Sequence, residues 1–126
     1  MALSVKRLLK NLRTSPSELD VTRLRQFCAE LPGMTAISDV RARQEAAVVG
    51  EISSLRIVPR AGSPSLEATI TDGSGTIVAV WMGRRQIAGI SPGRRLVVIG
   101  RANPGTHGNR LYFYNPRYEL LEGERH

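Results

Sequence analysis

Arg110, Tyr112 and Tyr114 alternate within five residues of one another. On an extended strand such residues share a face. Arginine interleaved with tyrosine couples a cation that grips phosphate to rings that stack on bases. The competing use of the two tyrosines is to cover a barrel end or an amino-terminal helix. Arg56 and Arg60 stand before a turn, Arg84-Arg85 follows Gly83, and Arg94-Arg95 follows a Pro-Gly turn. Each pair either grips phosphate or is simply solvated, and only one of Arg94 and Arg95 can face a given ligand, because strand neighbours point to opposite sides.

Catalysis needs positioned acids, bases or nucleophiles, and these are sparse. The histidines are His107, in a glycine-rich loop, and the terminal His126. No glycine precedes Lys-Ser or Lys-Thr, and Gly73-Ser74-Gly75 lacks the third glycine of a dinucleotide loop. Asp72 suits a turn and Glu67 an outer strand face. The single cysteine, Cys28, can neither form an internal disulfide nor complete a zinc site, and reads as a small buried helix residue. A non-enzymatic chain without metal or cofactor is expected.

Charge narrows the ligand class. Lys and Arg number 18 against 11 Asp and Glu, for a net charge of +7. The stretch 41–118 holds eleven arginines against Glu45, Glu51, Glu67 and Asp72, so that whole surplus sits there. A basic field favours polyanions and speeds their encounter. The alternative is compositional bias: sixteen of the eighteen basic residues are Arg, as a GC-rich genome produces, and such bias raises the charge without any partner.

The elements that must position these residues are legible in the periodicity. Val5, Leu8, Leu9 and Leu12 recur at helical spacing opposite Lys6, Arg7, Lys10 and Arg13. This short basic helix has no aromatic anchor, so docking on the domain or fraying is expected over membrane attachment. Ser15-Pro16-Ser17-Glu18 is a capping box that opens a second helix. Val21, Leu24, Cys28 and Leu31 line its face, and Leu31-Pro32-Gly33 ends it. Past residue 40 the period becomes two. Ala46, Val48, Gly50 and Ile52 begin a strand that could run to Val58, and a turn cluster spans 59–64. Leu66, Ala68 and Ile70 face inward from a second strand, with Glu67, Thr69 and Thr71 outward. Asp72-Gly73-Ser74-Gly75 is a hairpin, and a third strand runs from Thr76 to Met82. A short helical turn is expected from Arg84 to Ile90, then strands at 96–100 and from Leu111. Trp81 and Phe113 fall in phase with the core. No run suits a signal peptide or a membrane span, so a soluble cytoplasmic protein is expected.

Strand, strand, strand, short helix, strand, strand is the element order of a five-stranded Greek-key OB barrel. The division expected is a helical extension over 1–37 and a barrel over 38–122. The segments VVGEI, TDGSGTIVAVW, SPGRRLVVIGRA and NPRYEL resemble OB domains of the anticodon-binding superfamily. They are similar in particular to the wedge OB domain of branched-DNA helicases. WMGRRQIAGISPG and YNPRYE also resemble small actinobacterial OB-fold nucleic-acid-binding proteins. The resemblance covers about residues 38–121.

OB barrels take ligands across strands two and three, between the first and the last hairpin loops. The candidate binding residues are therefore Arg56, Arg60, Thr69, Val80, Arg84, Arg85, Arg110, Tyr112 and Tyr114, beside Thr71 and Val78. Six aromatic residues in all favour backbone grip over extensive base stacking. The leading expectation is a non-catalytic binder of single-stranded or branched DNA, or of RNA. The alternative is a protein-interaction module that presents Val78, Val80 and Met82.

Overall fold

The chain becomes extended at Glu45 and stays so for sixteen residues, forming β1 (Glu45–Arg60). A single computed structural model describes residues 16–105 and 108–122. The expected basic helix near Val5 to Leu12 lies outside them, as do His107 and His126. One α-helix is therefore described where two were expected: α1 (Pro16–Ala29). It begins at the Pro that the capping box places first, and the chain turns away from it through Gly33, at φ 78°.

Five further strands follow: β2 (Ser63–Thr71), β3 (Thr76–Met82), β4 (Arg95–Pro104), β5 (Leu111–Tyr114) and β6 (Arg117–Leu120). All are antiparallel in their pairings except β3 with β5, and the sheet order is β1-β2-β3-β5-β4-β6. The first half of β1 also pairs with β4, and its second half with β2. The pairings thus return to β1 as a partly closed ring. Two local features let one strand serve both neighbours. Gly50 is buried where a Cβ would lie 2.6 Å from Ile70 Cγ2 and 2.7 Å from the Thr71 carbonyl oxygen, so only glycine allows that approach. The register then slips between Ile52 and Ser54, a β-bulge that bends the strand. It also resets the alternation, so that Ile52 and Leu55 both reach the core.

The core fills the ring. Ile52, Leu66, Ala68, Ile70, Ile77, Ala79, Trp81, Leu96, Val98 and Phe113 are buried there, matching the expected inward phases of Trp81 and Phe113. Two sequence expectations need correction. Residues 84–90 form no helix: Gly83 and Gly89 sit at positive φ, and only an Ile90 N–H to Ile87 carbonyl turn remains. The segment still plugs the core with Ile87 and Ile90. The sheet has six strands, because Asn115 at φ 51° and the buried Pro116 break the last one into β5 and β6.

A second apolar cluster holds α1 against the opposite side of β1 and β4. Leu24, Cys28 and Val49 are buried there with Phe27, Leu31, Met34, Val97 and Leu121 packed around them. Arg95 sits 4.4 Å above the Phe27 ring and bonds Glu51 at 3.2 Å. Arg94 donates from Nε to the Leu121 carbonyl at 3.1 Å. The second arginine pair is thus spent on structure. Burial pushes the Cys28 thiol up to about 11. Because the thiolate is the nucleophile, iodoacetamide at pH 8 should modify the native protein at least ~100-fold more slowly than free cysteine. The rate should climb as pH approaches that value. Stoichiometric alkylation within minutes, read by mass spectrometry, would show instead that α1 opens readily.

Candidate functional site

Strand parity places the candidate residues on the outer face of β2, β3 and β5. One cross-strand row runs Arg56, Glu67, Val80, Tyr114; the next runs Thr69, Val78, Tyr112, Asn103. Both tyrosines are half-buried, and their rings lie stacked at 6.0 Å and 14° from coplanar. That spacing follows from two residues of strand rise, about 6.6 Å. Val78 and Val80, expected at the surface, are buried at 2% and 0% exposure. Each lies beside a tyrosine in the register, and being buried the valines offer no apolar surface to a partner. Met82, at 47% exposure, does remain outside.

The edge of the strip is electrostatic. Glu67 is only 5% exposed, and its carboxylate accepts from Arg56 Nε at 3.2 Å and Arg60 Nη2 at 2.8 Å. A carboxylate so buried needs such partners. The Arg60 guanidinium also lies 5.8 Å from the Tyr114 ring centroid. The Glu67 hydrogen bond raises the Arg60 pKa further above its already high ordinary value, so this cation is permanent. Arg56 keeps 72% of its side chain exposed and Arg60 36%. Two arginines against one glutamate leave a net positive edge beside an aromatic strip.

The other candidates spread along that strip. Arg84 and Arg85 are exposed on the loop that leaves β3, just past Met82, and Gly83 there donates to the Pro64 carbonyl at 2.8 Å. They stand at the same end as the β1–β2 turn. Arg110 is exposed at the start of β5, at the other end, where Leu111 pairs with Ile77. The basic candidates thus flank the tyrosines from both ends and do not converge on one point. Thr69 lies in the Tyr112 row and is half-buried. Tyr118 belongs elsewhere: it stands edge-on to Trp81 at 5.5 Å.

Sequence reasoning missed the Arg56–Glu67–Arg60 network, although a signal existed. Ala61 and Gly62 both take positive φ, 50° and 83°, which makes a two-residue hairpin turn. Counting back from that turn puts Arg56 opposite Glu67. The prolines at 59 and 64 argued for an earlier end to the strands, yet they face each other across the ladder. Among the described residues no three His, Cys, Asp or Glu side chains gather as a metal site requires, and no described helix is long and apolar enough to cross a membrane.

No family model and no curated protein matches the chain. Solved structures do. The fold is similar to RecG bound to a three-way DNA junction, with a TM-score of 0.61 and 16% identity over 71% of this chain and 13% of that one. The chain therefore corresponds to a small part of the RecG chain's length. It is similar to an OBody bound to hen egg-white lysozyme, with a TM-score of 0.57 and 12% identity over 75% of this chain and 100% of that one. It is also similar to the replication factor A related protein of Methanobacterium thermoautotrophicum, with a TM-score of 0.54 and 20% identity over 74% and 94% of the two chains. These likenesses show an OB-like fold.

Proposed function

We propose that this chain is a non-catalytic nucleic-acid-binding protein whose ligand lies across the outer face of β2, β3 and β5. On this reading the partly closed ring is a five-stranded Greek-key OB barrel, with β5 and β6 as one strand bent at Asn115. The fold alone does not choose the ligand. Among the similar structures, RecG is bound to a DNA junction and the OBody to a protein. The observation that carries the choice is the stacked, half-exposed Tyr112–Tyr114 pair beside Arg60. Parallel rings next to a permanent cation suit bases that stack while the backbone is gripped. The half-exposed rings stand on the outer face of the sheet, within reach of unpaired bases and not of the paired bases of a duplex, so single-stranded DNA or RNA is the ligand class, including unpaired segments of branched DNA. A protein-docking reading loses two of its three apolar positions to the interior, since Val78 and Val80 are buried.

The test is fluorescence anisotropy of labelled single-stranded DNA and RNA, with blunt duplex as comparison, from about 25 to 200 mM salt. For a ligand that engages three phosphates, log K should fall against log salt with a slope of about −2, at roughly −0.7 per phosphate. Blunt duplex should bind more weakly than either single strand. Absence of any complex at the lowest salt, or equal binding of duplex, would overturn the proposal.

A further inference from the structure

Two polar atoms on this face find no hydrogen-bond partner among the described residues although both are buried: Ser65 Oγ and Arg60 Nε. Their placement relates them. The outward residues of β2 run Ser63, Ser65, Glu67. Arg60 stands opposite Ser63 in the register, and its guanidinium bonds Glu67. The Ser65 row lies between the Arg60 row and the Glu67 row, so the Arg60–Glu67 bond spans it. Ser65 is 1% exposed. A buried hydroxyl without a partner costs stability, so its presence calls for an explanation that an alanine would not satisfy.

We propose that Arg60 is a displaceable latch, held by Glu67 across Ser65 in the free protein and drawn off by a nucleic-acid phosphate, which then takes its second hydrogen bond from the Ser65 hydroxyl. The inference rests on the nucleic-acid reading above and deepens it. Both orphan atoms can donate to an anion: Nε–H of a guanidinium and a hydroxyl are the donor types that phosphodiester oxygens accept. The exchange leaves no carboxylate stranded, because Arg56 stays on Glu67 at 3.2 Å when Arg60 leaves. Tyr114 lies beside the path, 5.8 Å from the guanidinium in the closed state, so release of Arg60 also frees ring surface for a base. Glu67 would thus set the affinity from below: it competes with phosphate for Arg60 and rejects ligands that lack the charge to win.

The experiment compares wild type, E67Q and S65A against single-stranded oligonucleotides by anisotropy across the salt range. E67Q loses the competing charge, so it should bind several-fold tighter and steepen the salt slope by about 0.7, one additional phosphate. S65A should bind at least about tenfold more weakly, as loss of a hydrogen bond to a charged group does, while its thermal midpoint holds or rises. A third measurement, which needs no variant, is the Nε–H resonance of Arg60 in the wild type, which should shift on addition of oligo(dT). Wild-type binding with no change of affinity or slope in E67Q, no loss in S65A and an unmoved Arg60 resonance overturns the latch and leaves the nucleic-acid reading intact. Failure of the wild type to bind overturns both. Should E67Q not fold, S65A and the Arg60 resonance decide alone.

Discussion

Replacing Tyr112 and Tyr114 together with alanine should lower affinity for single-stranded DNA or RNA by at least tenfold, and replacing both with phenylalanine should not. Each base stacked on an aromatic ring is worth about 1–3 kcal/mol by alanine substitution, or roughly 5- to 150-fold for each ring. The two losses multiply only if both rings carry a base. Their stacked arrangement at 6.0 Å makes two adjacent bases the natural occupants. Phenylalanine keeps the π-face and removes only the hydroxyl, so it separates stacking from hydrogen bonding. Truncation also uncovers Val78 and Val80 and removes the ring next to Arg60, so a modest loss of stability, about 1–2 kcal/mol, accompanies the double alanine variant. Binding must therefore be compared where circular dichroism shows both proteins folded. Because the rings contribute stacking and not charge, the salt slope should stay at its wild-type value while the affinity drops. If the alanine variant binds like wild type, the tyrosines serve only as a roof over the valines.

How much of this was legible beforehand depends on the range of the interaction. β3 runs from Thr76 to Met82 as alternation and the preceding DGSG turn predict, because hairpin chemistry and period two are local. The core phases of Trp81 and Phe113 follow from the same parity. The pairing of Tyr112 and Tyr114 on one face is equally local, since i and i+2 on a strand must share a side. The failures are of two kinds. Residues 84–90 carry helical spacing in Ile87 and Ile90, but positive φ at Gly83 and Gly89 is a backbone requirement that spacing does not reveal. Parity puts Glu67, Val78 and Val80 on the outer face, yet all three are buried. Glu67 is held by Arg56 and Arg60 of β1, and the two valines are flanked in the register by Tyr112 and Tyr114 of β5. Neighbours that arrive from another strand leave no trace in one strand's alternation. The positive charge shows the same split. Arg56, Arg60, Arg94 and Arg95 each have a protein partner, so a count of arginines overstates the cations ready for phosphate.

Asp72 shows how a residue read as turn chemistry can hold far more than its turn, and Asp72→Ala should be the most destabilising of the substitutions considered, by about 3 kcal/mol. Its carboxylate is 2% exposed. Oδ1 accepts from Ser74 N–H at 2.8 Å, Ser74 Oγ at 2.7 Å and Gly75 N–H at 3.2 Å, which is the turn that the sequence shows. Oδ2 accepts from the Ile37 N–H at 2.9 Å, thirty-five residues away. The Ser38 N–H adds a bond to Ser74 Oγ at 3.1 Å. The hairpin thereby clasps the 3₁₀ turn Ile37–Asp39, which sets Ile37 into the core at 6% exposure. Alanine leaves the buried Ile37 donor without a partner, and that desolvation adds to the bonds lost. For a domain near 100 residues the midpoint should fall by on the order of 15 °C. Asparagine separates the two duties. Its oxygen can serve the Asx turn, but its NH₂ would meet the Ile37 N–H donor to donor, so Asp72→Asn should cost about half as much. Hydrogen exchange gives the readout: the Ile37 amide should lose protection in both variants, and the Ser74 and Gly75 amides only in the alanine variant. A cost below about 0.5 kcal/mol for Asp72→Ala, or an Ile37 amide still protected, would mean that packing alone seats the 3₁₀ turn. The clasp sits at the Thr71–Thr76 end of the β2–β3 pair, away from Arg60 and Glu67, so oligonucleotide affinity of the folded Asp72 variants should match wild type. Stability and binding are thus expected to respond to different residues on the same two strands.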